Sequence, residues 1–159
     1  MQFKNIPELF ESTAKKFPKS IFLQIKGNDG YARYTYEQVH SIVSSLAFNL
    51  SKSIKKGEKI AILSENRPEW CIAYLAISSM GCTAVPLDTN LTEENIALFL
   101  AHSDAVSVFV SQKFIDLIFN IKPKVIKLEY VISFDKSFNN AKAHTKSILN
   151  FSSIANDDV

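Results

Sequence analysis

Glycine is scarce in this chain of 159 residues, which has only four, at positions 27, 30, 57 and 81. A loop that cradles phosphate groups needs several closely spaced glycines, because backbone N–H groups must reach the phosphate oxygens. Neither G-x-x-x-x-G-K nor G-x-G-x-x-G can be written from these four positions. The sequence therefore excludes a self-contained nucleotide site of either kind.

The chain also lacks a large excess of charge of either sign. The chain has 18 Lys and Arg residues against 16 Asp and Glu residues, so its formal net charge is +2. The basic runs at residues 15–16 and 55–56 are only two residues long, which is typical of a solvated helix end or loop. The charge balance gives no electrostatic reason to expect a nucleic-acid partner, and we predict none.

Cysteine and long apolar runs are equally rare. Cys71 and Cys82 are too few for a disulfide framework, and both lie in apolar stretches where a free cysteine behaves as a small hydrophobe. The longest apolar run, residues 70–77, is far shorter than a membrane span, and the first residues contain no apolar leader segment. The sequence predicts a cytoplasmic protein with no transmembrane segment.

The apolar residues that are present follow clear patterns. They make up 47% of the chain and include 12 Phe, which is enough to bury a core. The pattern predicts an opening helix capped by Asn5, then an antiparallel hairpin with its turn at residues 27–30, then a helix that begins with a capping box of Thr35 and Gln38. Short β-prone runs then alternate with helical patterns, at residues 59–63, 83–86, 106–110 and 130–133.

This alternation predicts an α/β domain with a mainly parallel sheet flanked by helices and joined by right-handed crossovers. We place this α/β subdomain at residues 1–135. Residues 136–159 are polar and aperiodic, and we interpret them as a connection.

No residue is assigned a catalytic, cofactor-binding or metal-binding role from its sequence pattern. His40, His102 and His144 are far apart, and neither they nor the cysteines show the short spacings of a metal site. His40 lies beside the apolar face of its helix, so we interpret it as a partly buried, hydrogen-bonded histidine. Nothing in the sequence singles out a nucleophilic Cys–His pair.

Two loops at the ends of predicted strands are weaker candidates for a ligand site, because open α/β sheets bind ligands there. Asp88 follows a strand directly, and we favour an aspartate that stabilises its own turn over one that binds a ligand. Residues 64–67 could meet a partner or ligand. We expect instead that Asn66 caps the next helix and that Arg67 is exposed to solvent.

Four segments resemble, in order, the N-terminal region of adenylate-forming enzymes, particularly long-chain fatty acyl-CoA synthetases. Residues 59–70, KIAILSENRPEW, are the most distinctive. Residues 34–38 resemble the family's early helix-opening motif, residues 77–92 resemble its second core motif, and residues 91–94 match the helix start that follows. The resemblance extends from about residue 6 to the end of the chain.

The resemblance implies a parent enzyme that uses ATP, Mg and coenzyme A to convert a fatty acid, through an acyl-adenylate, to acyl-CoA, AMP and pyrophosphate. In this family, the stretch that residues 156–159 resemble lies just before a Ser/Thr/Gly-rich phosphate loop. The resemblance therefore implies an N-terminal fragment that is inactive alone, and it supplies no catalytic residue. Such a fragment is also expected to dimerise through the face that packs on its missing half.

Several alternatives stay open at this point. The parent could instead be an acyl-carrier-protein ligase, an aryl-CoA ligase or an amino-acid adenylating domain. A stand-alone binding or interaction module is a further possibility, and it would need an exposed apolar surface of its own.

Overall fold

The computed structural model describes residues 3–135, which begin with helix α1 (Ile6–Lys16) and a hairpin of strands β1 (Ile21–Gly27) and β2 (Gly30–Thr35). The side chain of Asn5 caps α1, because its Oδ1 accepts a hydrogen bond of 2.9 Å from the Glu8 N–H. The two strands of the hairpin are antiparallel. The predicted opening helix, its cap and the hairpin are confirmed.

Helix α2 (Tyr36–Leu50) begins with the predicted capping box. The Gln38 N–H donates to Thr35 Oγ1 at 3.3 Å, and the Thr35 N–H donates to Gln38 Oε1 at 2.8 Å. Two N–H groups that the helix itself cannot pair are therefore satisfied. The helix buries one stripe of side chains, formed by Val39, Val43, Leu46 and Leu50.

A parallel sheet follows, in the strand order β4-β3-β5-β6. Its strands are β3 (Lys59–Leu63), β4 (Thr83–Pro86), β5 (Ala105–Val110) and β6 (Tyr130–Ser133). They are joined by helices α3 (Pro68–Ser79), α4 (Glu93–Ser103) and α5 (Ile115–Ile121), with 3-10 turns at Gln112–Phe114 and Lys122–Lys124. The predicted fold class, an α/β domain with a mainly parallel sheet, is confirmed.

The sheet separates two apolar clusters. Helices α1 to α3 contribute to the first cluster, and helices α4 and α5 contribute to the second. Successive residues of β3 enter different clusters, since Ile60 and Ile62 lie in the first whereas Ala61 and Leu63 lie in the second. This alternation is the period of two expected of a strand covered on both faces.

Helix α3 ends in a Schellman motif, in which a residue with a left-handed backbone closes the last turn. The Cys82 N–H donates to the Ile77 carbonyl at 3.2 Å, and the Gly81 N–H donates to the Ser78 carbonyl at 3.0 Å. Gly81 has a φ of 70°, which favours glycine. The motif turns the chain directly into β4.

Two predictions concern the limits of the structure. Within residues 3–135, no helix is long and apolar enough to cross a membrane. The predicted connection at residues 136–159 lies outside the described residues, so the boundary proposed at residue 135 stays a prediction.

Candidate functional site

Because the four strands run parallel, the segments that follow them lie at one edge of the sheet, which we call the carboxyl edge. It comprises residues 64–69, 87–94, 111–113 and 134–135. Both loops singled out from the sequence lie here. These segments contain six carboxylates and two basic residues, and the basic residues are Arg67 and Lys113.

Arg67 lies at the centre of the polar contacts of this edge, with 18% of its side chain exposed. Its Nε donates to Glu69 Oε2 at 3.0 Å, and its Nη1 donates to Asp135 Oδ1, also at 3.0 Å. Its guanidinium carbon lies 5.6 Å from the centre of the Phe134 ring, within range of a cation–π contact. We call Arg67, Glu69 and Asp135 the Arg67 clasp.

Burial acts against the charge of Arg67, but the hydrogen bonds and charges of the two carboxylates outweigh it. The pKa of the Arg67 guanidinium is therefore raised above its ordinary value. The residue stays a cation whose charge is neutralised within the clasp.

The expected roles of Asn66 and Arg67 are wrong. Arg67, not Asn66, occupies the N-cap position of α3, and its side chain makes no capping hydrogen bond. Pro68 follows at the start of the helix, where its missing N–H leaves one donor fewer to be capped. Arg67 is half-buried, and Asp135, 68 residues further along the chain, accepts a hydrogen bond from it.

Further hydrogen bonds tie the strand ends together. Asp135 Oδ2 accepts the Gln112 N–H at 2.8 Å, which joins the segments that follow β5 and β6. Ser111 Oγ donates to Glu65 Oε2 at 2.7 Å, which joins the segments that follow β3 and β5. The carboxyl edge is therefore cross-linked by polar contacts beyond the sheet ladder itself.

Asp88 has the role favoured from the sequence. Its side chain is exposed, and its Oδ1 accepts hydrogen bonds from the backbone N–H and the side-chain Nδ2 of Asn90, at 2.9 Å and 3.0 Å. This is the geometry of an aspartate that stabilises its own turn. The interpretation is confirmed.

Among residues 3–135, the structure does not gather histidines and cysteines into a site. His40 is half-buried, as expected, and stacks on Phe10 with 6.2 Å between ring centres. His102 is exposed, and His144 lies outside the described residues. Within residues 3–135, no group of three His, Cys, Asp or Glu residues could hold a metal ion.

The two cysteine thiols are poor nucleophiles. Burial raises the pKa of Cys71 and that of Cys82, so less thiolate is present at neutral pH than for a free cysteine. The Cys82 thiol also donates to the Lys55 carbonyl at 3.2 Å. Both cysteines are free and serve as packing residues.

A shallow cleft lies beside the Arg67 clasp, between β1 and the start of α3. Its volume is ≈ 250 Å³, and Leu23, Ile25 and Trp70 form its apolar walls. Pockets for ligands of ordinary size have volumes of roughly 300 Å³ or more. The cleft is therefore smaller than an ordinary ligand pocket, and its volume does not point to any substrate.

The carboxyl edge offers few positive charges for the phosphates of a nucleoside triphosphate. The phosphates of ATP are anionic, whereas this edge has more carboxylates than basic groups. Its half-buried cation, Arg67, already binds Glu69 and Asp135. The glycine positions in the sequence form no phosphate loop of the two patterns considered above. The described residues thus form a scaffold that is cross-linked by polar contacts between the strand ends.

Comparison with known proteins identifies the class to which this scaffold belongs. The family model described as AMP-binding enzyme matches residues 10–157, which is most of the chain. The chain belongs to the AMP-binding enzyme family.

Its relatives include long-chain acyl-CoA synthetases. It is 28% identical to long chain acyl-CoA synthetase 3 and 31% identical to long chain acyl-CoA synthetase 4, both of Arabidopsis thaliana. The matches cover 87% and 80% of this chain but only 22% and 20% of the two relatives. The chain thus spans about a fifth of their length, and the resemblance stated from the sequence is confirmed.

A solved structure supports the fold. The N-terminal domain of FACL13 from Mycobacterium tuberculosis superimposes with a TM-score of 0.78 and 22% sequence identity. The match covers 98% of this chain and 40% of that chain. The fold of residues 3–135 is therefore that of part of the N-terminal domain of an adenylate-forming enzyme.

Proposed function

We propose that these 159 residues form the first part of the large domain of an AMP-forming acyl-CoA synthetase. The parent reaction converts a fatty acid, ATP and coenzyme A to acyl-CoA, AMP and pyrophosphate through an acyl-adenylate. The observation that carries the proposal is the similarity to two long-chain acyl-CoA synthetases over at least 80% of the chain. The long-chain substrate rests on these relatives alone.

The chain's own contribution is to hold the carboxyl edge of the sheet in a fixed geometry. The Arg67 clasp and the Ser111–Glu65 hydrogen bond fix the segments that leave three of the strands. Preorganised scaffolds of this kind hold reacting groups in place in enzymes. We propose that ATP, Mg and coenzyme A bind to sequence outside these 159 residues, and that the chain alone is inactive.

Calorimetric titration tests whether the nucleotide binds outside these 159 residues. The purified chain is titrated with Mg-ATP and, separately, with a fatty acyl-adenylate analogue, beside a longer chain that continues through the downstream Ser/Thr/Gly-rich loop. We expect heat of binding from the longer chain only. Saturable nucleotide binding by the 159 residues alone would contradict the proposal and indicate an independent site.

The substrate class needs the whole parent enzyme. We expect fatty acids to support ATP–pyrophosphate exchange better than aryl acids or amino acids do. A preference for aryl acids or amino acids would place the parent in another branch of the family, while leaving its adenylate-forming chemistry intact.

Two further expectations accompany this function. We propose a cytoplasmic location, supported by the two free cysteines, and cell fractionation measures it. We also propose that the isolated chain dimerises through the face that packs on the rest of the enzyme. Sedimentation velocity tests this point, since the longer chain should lose the dimer that the 159 residues form.

A further inference from the structure

The edge of the sheet opposite the carboxyl edge is basic. We call it the amino edge, and it comprises the segments that lead into the four strands, residues 51–59, 80–82, 101–104 and 122–129. It contains seven lysines against three carboxylates, an excess of four positive charges. The lysines are Lys52, Lys55, Lys56, Lys59, Lys122, Lys124 and Lys127, and the carboxylates are Glu58, Asp104 and Glu129.

Charge is therefore separated along the strand direction, although the whole chain has a net charge of only +2. The carboxyl edge has six carboxylates against two basic residues, an excess of four negative charges. A negatively charged surface would attract one edge and repel the other. Such a surface would bind the domain in one orientation, with the carboxyl edge facing away from it.

Two carboxylates of the amino edge are already engaged by the protein. Asp104 Oδ1 lies 3.0 Å from Lys127 Nζ, and Glu58 Oε2 accepts the backbone N–H of Lys55 at 2.6 Å. The side chains of Lys52, Lys55, Lys56 and Lys124 are exposed to solvent. The amino edge therefore presents mainly ammonium groups to its surroundings.

Exposed apolar side chains accompany these lysines. Ile126 is 96% exposed and lies in the loop between Lys124 and Lys127. Phe48, in the last turn of α2, is 65% exposed, and Lys52 Nζ lies 4.7 Å from the centre of its ring. An apolar tip flanked by lysines is the arrangement that inserts into the headgroup region of a bilayer, with the ammonium groups at the surface.

We propose that the amino edge docks on the surface of an anionic lipid bilayer, with Ile126 entering the headgroup region and the lysines facing the negative headgroups. Each lysine near such a surface strengthens binding by about fivefold, and Ile126 adds apolar burial. The proposal goes beyond the proposed function and does not depend on it, because vesicle binding is measured without catalysis.

Vesicle flotation of the full chain tests the proposal. One set of vesicles contains phosphatidylcholine with about 30% phosphatidylserine, and the other contains phosphatidylcholine alone. We expect binding to the first set only. Raising NaCl to about 0.5 M should weaken that binding at least tenfold, because surface charges are then screened within a few ångströms. Equal binding to both sets, or to neither, overturns the proposal.

Matched variants locate the surface. Lys55→Glu with Lys124→Glu should weaken vesicle binding by at least about tenfold. Lys26→Glu with Lys113→Glu changes the net charge equally, but its two exposed lysines lie in β1 and at the carboxyl edge, so binding should be retained. Equal loss in both double variants would mean nonspecific attraction and would overturn the assignment to the amino edge.

A second pair of variants tests the apolar tip. Ile126→Ala should weaken vesicle binding severalfold, whereas Leu98→Ala, which removes another largely exposed apolar side chain, should not. Circular dichroism confirms that each variant is folded. Binding by Ile126→Ala at the level of the unaltered chain would overturn the insertion of this residue.

Discussion

At the scale of single residues, Arg67 is a polar side chain whose removal should lower the stability of the fold. Arg67→Ala would remove the guanidinium that pairs with Glu69, which is 7% exposed. Breaking a buried ion pair in this way is costly, although Asp135, with 37% of its side chain exposed, regains solvent. We expect a loss of about 2 kcal/mol in the free energy of unfolding. Urea titration followed by the fluorescence of Trp70, the only tryptophan, measures it.

Two control variants sharpen this prediction. Arg67→Lys keeps the charge but cannot form the planar fork that reaches both carboxylates, so part of the loss should remain. Lys19→Ala breaks an ion pair whose side chains are 83% and 57% exposed, and its urea midpoint should not change. An unchanged midpoint for Arg67→Ala would mean that the clasp does not stabilise the fold.

Two buried serines lie on β5 and just beyond it, and replacing them should change the free energy of unfolding in opposite directions. Ser107 Oγ is buried and has no hydrogen-bond partner among residues 3–135, whereas Ser111 Oγ donates to Glu65. Ser107→Ala should therefore raise the free energy of unfolding by about 1 kcal/mol, and Ser111→Ala should lower it by about as much. Thermal and urea unfolding measure both. A loss in both variants would show that the Ser107 hydroxyl is paired after all.

At the scale of secondary-structure elements, the end of α3 depends on Gly81. An alanine there must adopt the left-handed backbone at φ 70°, and its Cβ would lie 3.0 Å from Lys56 Cε. The lysine stem can move, so the backbone conformation accounts for most of the cost, about 1 kcal/mol. Gly27→Ala is the matched control, because its Cβ would make only an ordinary contact of 3.7 Å. Equal unfolding midpoints for the two variants would contradict this account of the Schellman motif.

The elements themselves were predictable because local signals agree with the fold. Capping residues, turn glycines and short β-branched runs identified the hairpin and the bounds of strands β3, β4 and β6. Part of the motif that resembles adenylate-forming enzymes also has a local explanation, since Gly81 closes α3 before β4. The helical periodicity of the sequence did not predict which apolar side chains of α4 are buried. Ile96 and Leu100, four residues apart, are buried, whereas Leu98 and Phe99 are 61% and 47% exposed.

The contacts of the carboxyl edge could not be predicted from local sequence. Arg67 and Asp135 are 68 residues apart, and they meet only because β6 pairs with β5 and β5 pairs with β3. Without that strand order, a basic residue before a proline is most simply interpreted as a solvated charge. Asp88 was predictable for the opposite reason, because its partner Asn90 lies two residues away.

At the scale of the whole molecule, the two apolar clusters should unfold together although the sheet separates them. Strand β3 contributes Ile60 and Ile62 to one cluster and Ala61 and Leu63 to the other. If the cluster on one face of the sheet lost its packing, the strands that also support the cluster on the other face would no longer stay paired. We therefore expect a single cooperative transition, in which tryptophan fluorescence and far-UV circular dichroism coincide.

A destabilising substitution on one face of the sheet should therefore shift the unfolding transition that is reported from the other face. Ile118 is fully buried in the second cluster, whereas Trp70 packs against the first. Ile118→Ala should lower the free energy of unfolding by about 3 kcal/mol, and the transition reported by Trp70 should shift by the same amount. Leu98→Ala, on the exposed surface of α4, should shift it little. A Trp70 transition that stays in place while the circular dichroism signal shifts would mean that the faces unfold separately. Helices α1 to α3 with the hairpin would then be a unit that survives the loss of α4 and α5.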